Sequence, residues 1–181
     1  GLFYDKINEN IYISEHGPQG GDEININFTN VKKIKNYGWP IASYGEHYGY
    51  PIKDNSKNYE LAPLLKSHEK YNFIEPFIQF TPSIGISQII LNNKLLNIKN
   101  KNSLYVAALG YNINEGDKSI HRIIFDENYK IKEHRILTLN ERVRDMIYIE
   151  DINKIFLFLE TFYHKTLELP KASSIATLEF K

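Results

Sequence analysis

Glu15-His16-Gly17-Pro18-Gln19-Gly20-Gly21-Asp22-Glu23-Ile24-Asn25 follows the apolar run Ile11-Tyr12-Ile13 and leads into Ile24-Asn25-Ile26-Asn27-Phe28. The flanks read as strands. Between them, glycines and a proline permit sharp backbone turns. The turn gathers one imidazole and three carboxylates, Glu15, His16, Asp22 and Glu23, groups suited to metal or cofactor chemistry. A strand that ends in such a turn reads as a site rather than a linker. A second cluster, Asn36-Tyr37-Gly38-Trp39-Pro40, begins eleven residues after Asn25.

Strand signals recur outward from this point, separated by turn residues. The expected strands are Leu2-Tyr4, Ile11-Ser14, Ile24-Phe28, Gly85-Leu91, Ser103-Ala108, Ser119-Asp126, Ile131-Leu139, Val143-Ile149, Ile155-Glu160 and Ser174-Phe180. Turns are expected at Asn8-Glu9-Asn10, Asp126-Glu127-Asn128 and Glu150-Asp151-Ile152-Asn153. One helical segment is expected between Tyr59 and His68, shortened by Pro63. Helical periodicity is otherwise lacking, which points to an all-β antiparallel protein. The cadence of short strands in the second half matches four-stranded propeller blades better than a sandwich, with a long loop insertion at about 40–75.

The 181 residues carry 22 basic and 22 acidic side chains, a net charge of zero. Nucleic acid and anionic membranes call for a basic excess, so neither is an expected partner. No apolar run is long enough for a transmembrane helix. Cysteine is absent, which excludes disulfides, thiolate catalysis and Cys-ligated zinc. The opening Gly1-Leu2-Phe3-Tyr4 reads as the inside of a strand, as if the chain begins mid-protein. The sequon Asn27-Phe28-Thr29 reads as a chance triplet.

The Glu15–Asn25 stretch and Asn36-Tyr37-Gly38-Trp39-Pro40 together resemble the soluble glucose/sorbosone (aldose sugar) dehydrogenases. Tyr44-Gly45-Glu46-His47-Tyr48, Pro82-Ser83-Ile84, Leu104-Tyr105-Val106-Ala107-Ala108-Leu109 and Glu141-Arg142-Val143-Arg144-Asp145 follow in the same order. The resemblance implies a six-bladed β-propeller, of which residues 1–181 would form the C-terminal part, roughly three blades. It implies oxidation of an aldose at the anomeric carbon to the lactone, with pyrroloquinoline quinone (PQQ) as hydride acceptor, calcium assisting and an external electron acceptor. It places the protein in the periplasm or outside the cell. The partner it implies for this chain is the N-terminal half of the propeller. The family's base histidine would lie there, so no catalytic residue is assigned here.

By resemblance, Gly17 and Pro18 supply backbone carbonyls to a cofactor-bound calcium, and His16, Tyr48 and Ser83 lie against PQQ. Arg142 and Arg144, spaced to share one face of a strand, match an arginine pair that binds the cofactor. Glu23 and the backbone of Tyr37 match a structural calcium site, with Glu75 a further contributor. Read without the resemblance, Gly17-Pro18 is equally a turn, Glu23 a salt-bridged carboxylate, and the arginines a surface strand paired to Glu141 and its neighbours. Trp39 reads as a core residue. His47, His68, His121, His134 and His164 show no paired metal spacing and receive no role.

Two positions depart from the family pattern. Thr81 stands where some members place a Trp over the quinone, and Gly110 where a basic residue is common. They keep open a non-catalytic propeller relative that binds a sugar or a protein. A propeller lactonase is a third reading, but the side-chain calcium ligands it needs are not evident.

Overall fold

The structure, a computed structural model, describes residues 1–49, 56–92, 101–110, 118–160 and 173–179, with Ser56 and Lys101 described by backbone alone. Within these residues, strands and turns dominate, as expected. The chain divides into two compact units, Leu2–Ile84 and Gly85–Lys181 with Gly1.

The first unit holds a four-stranded antiparallel sheet in sequential order: β1 (Leu2–Asp5), β2 (Asn10–Glu15), β3 (Asp22–Phe28) and β4 (Ile78–Phe80). Strand β4 was not expected from sequence. It is three residues long and has too little alternation to register. β2 alternates cleanly, burying Asn10, Tyr12 and Ser14, while β3 is buried on both faces from Asp22 to Ile26. Tyr12, Ile24, Ile26 and Phe80 form the core. The β1–β2 turn is organised by Asp5, whose Oδ1 accepts from the amides of Ile7 at 3.0 Å and Asn8 at 3.3 Å.

The segment between β3 and β4 forms a loop with α1 (Ser56–Leu61) and a 3-10 turn at Glu69–Tyr71. The helix lies earlier than expected, because Pro63 ends it instead of sitting inside it. Trp39, expected in the core, is 62% exposed. Its loop turns on backbone bonds from Ile41 and Ala42 to the Gly38 carbonyl, leaving the indole outside.

The second unit holds β5 (Ile86–Leu91), β6 (Lys101–Ala108), β7 (Ser119–Asp126) and β8 (Ile131–Thr138) in one antiparallel sheet. A second sheet, in the order β11-β10-β9, comprises β9 (Arg142–Ile149), β10 (Lys154–Glu160) and β11 (Ser174–Leu178). The end of the expected Ser174-Phe180 strand lies outside the described residues. The two sheets meet chiefly where β9 lies against β5 and β6, and Ile86, Ile89, Leu104, Ile120, Ile123, Val143, Ile155 and Leu157 are buried within the unit. The Ser87 hydroxyl donates to the Val143 carbonyl at 2.6 Å. The β7–β8 turn repeats the β1–β2 device: Asp126 Oδ1 accepts from the amides of Asn128 and Lys130 at 3.0 and 2.9 Å. The expected turn after Ile149 is a 3-10 turn at Glu150–Ile152, closed by left-handed Asn153.

Candidate functional site

The Glu15–Glu23 loop is built on backbone contact. A Cβ on Gly17 would lie 2.2 Å from the Gly20 carbonyl oxygen, so no side chain fits there. Gly21 has φ +70°, and a Cβ there would lie 2.2 Å from the Gly45 amide nitrogen. Gln19 and Glu46 exchange backbone hydrogen bonds at 2.8 and 2.9 Å, clamping this loop to the Tyr44–Glu46 segment. Glycine is therefore required here for packing, whatever the Gly17 and Pro18 carbonyls also do.

Asp22 is the hub of this turn. It is fully buried. Its Oδ1 accepts from the Gly17 amide at 3.0 Å and the Ser83 hydroxyl at 2.8 Å, and its Oδ2 from the Ile84 amide at 3.0 Å. His16 Nδ1 stands 4.0 Å from Oδ1, its side chain largely exposed. Three of the expected cofactor residues, His16, Gly17 and Ser83, thus converge on one carboxylate. The sequence reading gave Asp22 no role, although it stood in the quoted motif. Nothing in sequence distinguishes a buried hub from a solvated carboxylate.

Glu23, the next residue on β3, faces the opposite side of the sheet. It is buried, and Glu15 stands directly across from it on β2. Like charges in that register repel. Burial chiefly, with smaller contributions from Glu15 and Glu75, raises the Glu23 carboxyl from its ordinary 4.5 to about 7. Asn25, two residues on, donates from Nδ2 to Glu15 Oε2 at 2.6 Å.

His68 completes this cluster, and no sequence signal marked it. Its ring is fully buried, with Nε2 3.6 Å from Glu23 Oε1 and Nδ1 3.6 Å from Glu75 Oε2. Both separations exceed a hydrogen bond. Burial lowers its basicity, partly offset by Glu75. Glu75, uncertain from sequence, does reach this cluster: its Oε2 accepts from the Tyr44 hydroxyl at 2.7 Å and its Oε1 from the Glu69 amide at 3.0 Å. Burial and the Glu75 bond push the Tyr44 phenol up to about 12. Tyr37 donates its hydroxyl to the Ile26 carbonyl at 3.3 Å, and burial, with a smaller contribution from the Glu15 charge, raises its phenol.

A cavity of about 120 Å³ is lined by Glu15, His16, Gly17, Gly21, Glu23, Trp39, Ala42 and Ser43. Glu23 Oε1 and Asn25 Oδ1 are buried and have no hydrogen-bond partner among the described residues. Oxygen donors left open beside two facing carboxylates fit a hard cation such as calcium. Among the described residues, no three His, Asp or Glu side chains are arranged around one metal position. A cation here would therefore depend on backbone carbonyls as well as Glu23.

Tyr48 is 78% exposed. The neighbouring His47 donates from Nε2 to the Ala62 carbonyl at 2.8 Å and packs edge-on against Tyr59. Thr81 is exposed and donates to Gln79 Oε1 at 2.8 Å. In the second unit, Gly110 has φ +85°, and its carbonyl oxygen lies 2.5 Å from where a Gly85 Cβ would stand. The arginine pair also lies in that unit. Arg142 Nε is 3.4 Å from Glu160 Oε2, and Arg144 Nε pairs with the same oxygen. Glu160 reaches the pair because the β9–β10 register places it opposite Arg142, after a bulge at Phe158/Leu159. His121 is buried and shares a 2.7 Å hydrogen bond with His134, and His164 lies outside the described residues.

Sequential antiparallel meanders, with a glycine-packed loop presenting carboxylates at a strand end, define an all-β protein with a polar site on a rigid sheet. The glucose/sorbosone dehydrogenase family profile matches residues 1–161, and the chain belongs to that family. It is 30% identical over 138 residues to the aldose sugar dehydrogenase YliI of Escherichia coli, covering 75% of this chain and 32% of that protein. An uncharacterized protein of Synechocystis, slr1608, is 28% identical over 146 residues, covering 81% and 31%. Among solved structures, a glucose dehydrogenase superposes with a TM-score of 0.65 at 27% identity, covering 87% of this chain and 40% of that one. The soluble aldose sugar dehydrogenase of Escherichia coli in its apo form gives 0.63 at 25%, covering 88% and 40%. The chain thus spans about a third of the length of the curated relatives it matches. Among the described residues, no helix is long and apolar enough to cross a membrane.

Proposed function

We propose that this chain is the C-terminal part, about three blades, of a six-bladed propeller that oxidises an aldose at its anomeric carbon to the lactone, using PQQ and calcium. The observation that carries this reading is the family match over residues 1–161, coupled to a loop whose buried oxygens stand open beside facing carboxylates. Membership alone does not give the substrate or cofactor. The loop chemistry and the arginine pair support them.

PQQ when bound supplies a two-electron acceptor for the hydride, and calcium polarises its oxygens. Gly17 and Pro18 would offer carbonyls, with the turn fixed by Asp22. His16, Tyr48 and Ser83 would flank the cofactor. Arg142 and Arg144 would offer guanidinium donors to its carboxylates. Glu23 and the Tyr37 backbone would hold a second, structural calcium. The substrate proton would pass to a base in the N-terminal half, the electrons to an external acceptor, and the location would be periplasmic or secreted.

The alternative, a non-catalytic propeller relative that binds a sugar or a protein, draws support from Glu160. That carboxylate already occupies both arginines, as a ligand carboxylate otherwise would. Spectroscopic titration of the full-length protein with PQQ at saturating calcium, followed by aldose-dependent dye reduction, separates the two. Cofactor binding and sugar-dependent reduction support the enzyme; absence of PQQ binding supports the alternative.

A further inference from the structure

We propose that the cavity in the second unit, between the β5–β8 sheet and the end of β11, binds a small amphipathic monocarboxylate. Its volume is about 320 Å³, at the lower end for small-molecule sites. Its polar end is a cross-strand row: Tyr105 on β6 stands opposite Arg122 on β7, which stands opposite Arg135 on β8. The adjacent row on the same face pairs Ile120 with Leu137, and Leu178 of β11 closes the apolar side. The cavity therefore has guanidiniums at one end and aliphatic walls along the other.

The charge balance selects the ligand's head. Glu133 Oε1 takes Arg122 Nη2 at 2.7 Å and Arg135 Nε at 2.5 Å. Among the described residues it is the partner of both guanidiniums. One carboxylate against two guanidiniums leaves one positive charge and several unused N–H donors. Glu179, also at the cavity, is offset by Lys154 at 2.6 Å. A single carboxylate matches that surplus and the fork geometry of arginine. A polyphosphate carries too much charge, and a sugar would leave its hydroxyls against Ile120, Leu137 and Leu178 without partners. The inference is independent of PQQ or sugar chemistry, because none of the proposed cofactor or calcium residues lines this cavity.

Calorimetric titration of the full-length protein with octanoate, octan-1-ol and inorganic phosphate tests it. Octanoate is expected to bind roughly tenfold or more tightly than octan-1-ol, the worth of a charge-assisted hydrogen bond. Phosphate is expected to bind more weakly than octanoate. Arg122→Gln should erase the preference for octanoate. Arg135→Gln, at a largely exposed position, should weaken octanoate several-fold, so the test survives a folding defect in the first variant. Leu137→Trp, filling the apolar side, should abolish binding of both eight-carbon ligands. No octanoate binding, equal affinity for octanoate and octan-1-ol, phosphate binding as tight as octanoate, or wild-type octanoate affinity in Arg135→Gln would each overturn the proposal.

Discussion

Replacing Glu23 by Gln tests the electrostatic reading of the loop. In an unfolded chain this carboxyl titrates at its ordinary 4.5, whereas in the fold burial raises it to about 7. Between those values the folded state holds the proton more tightly than the unfolded one. The contribution to stability is therefore fully present below pH 4.5 and lost as the pH rises through about 7. At about 1.4 kcal/mol per pH unit, the loss comes to about 3 kcal/mol. Glutamine is neutral throughout and keeps the shape. The stability difference between Glu23→Gln and wild type, in chelator, should thus swing by about 3 kcal/mol in favour of the variant between pH 4.5 and pH 8. Other carboxyls titrate in both proteins and cancel in that difference.

Calcium should offset most of that swing at high pH. A cation bound to the folded state at a hundredfold excess over its dissociation constant stabilises by about 2.7 kcal/mol. Wild type should gain that at pH 8, and Glu23→Gln should gain less. Denaturant unfolding of the full-length protein across pH, with and without calcium, measures both effects. An unchanged pH dependence in the variant would refute the buried-charge argument. Equal calcium stabilisation of the two proteins would refute Glu23 as a calcium ligand.

Asp22→Ala should destabilise by about 3 kcal/mol or more, because it orphans the Gly17 and Ile84 amides and the Ser83 hydroxyl together, and chemical denaturation would show it. Gly21→Ala should cost at least as much or prevent folding, since its Cβ would collide with Gly45 at a positive φ; loss of soluble protein or a lowered midpoint checks this. Glu160→Gln should raise affinity for PQQ several-fold by releasing Arg142 and Arg144, while Arg144→Gln should lower it roughly tenfold, both read by cofactor titration.

Strand positions were legible because alternation and turn chemistry are local. Asp5 and Asp126 show why: each accepts amides two to four residues ahead, so the signal lies within the turn itself. β4 was missed because three residues carry no period, and its identity comes from pairing with β3, more than fifty residues earlier. The same distinction divides the site. Gly17, Gly21 and Asp22 announce a constrained turn by composition. His68 lies in a loop without any pattern, and Glu160 acquires its role through a bulged register on another strand.

Asp22 and Glu23 illustrate how adjacent carboxylates acquire opposite duties from strand geometry alone. Successive side chains leave a strand on opposite faces. Asp22 turns towards three donors from Gly17, Ser83 and Ile84, so its charge is spent in holding the loop. Glu23 turns towards Glu15 across the sheet and His68, and one of its buried oxygens has no donor among the described residues. A fold gains nothing from burying that second charge unless a proton or a cation accompanies it. Exchanging the two residues would put the shorter carboxylate beside Glu15 and the longer one into the packed turn at Gly17. The double variant Asp22→Glu with Glu23→Asp should therefore lose stability at every pH, a deficit that added calcium does not restore. Recovery of wild-type stability in calcium would show that the two positions are interchangeable and that strand direction does not set their roles.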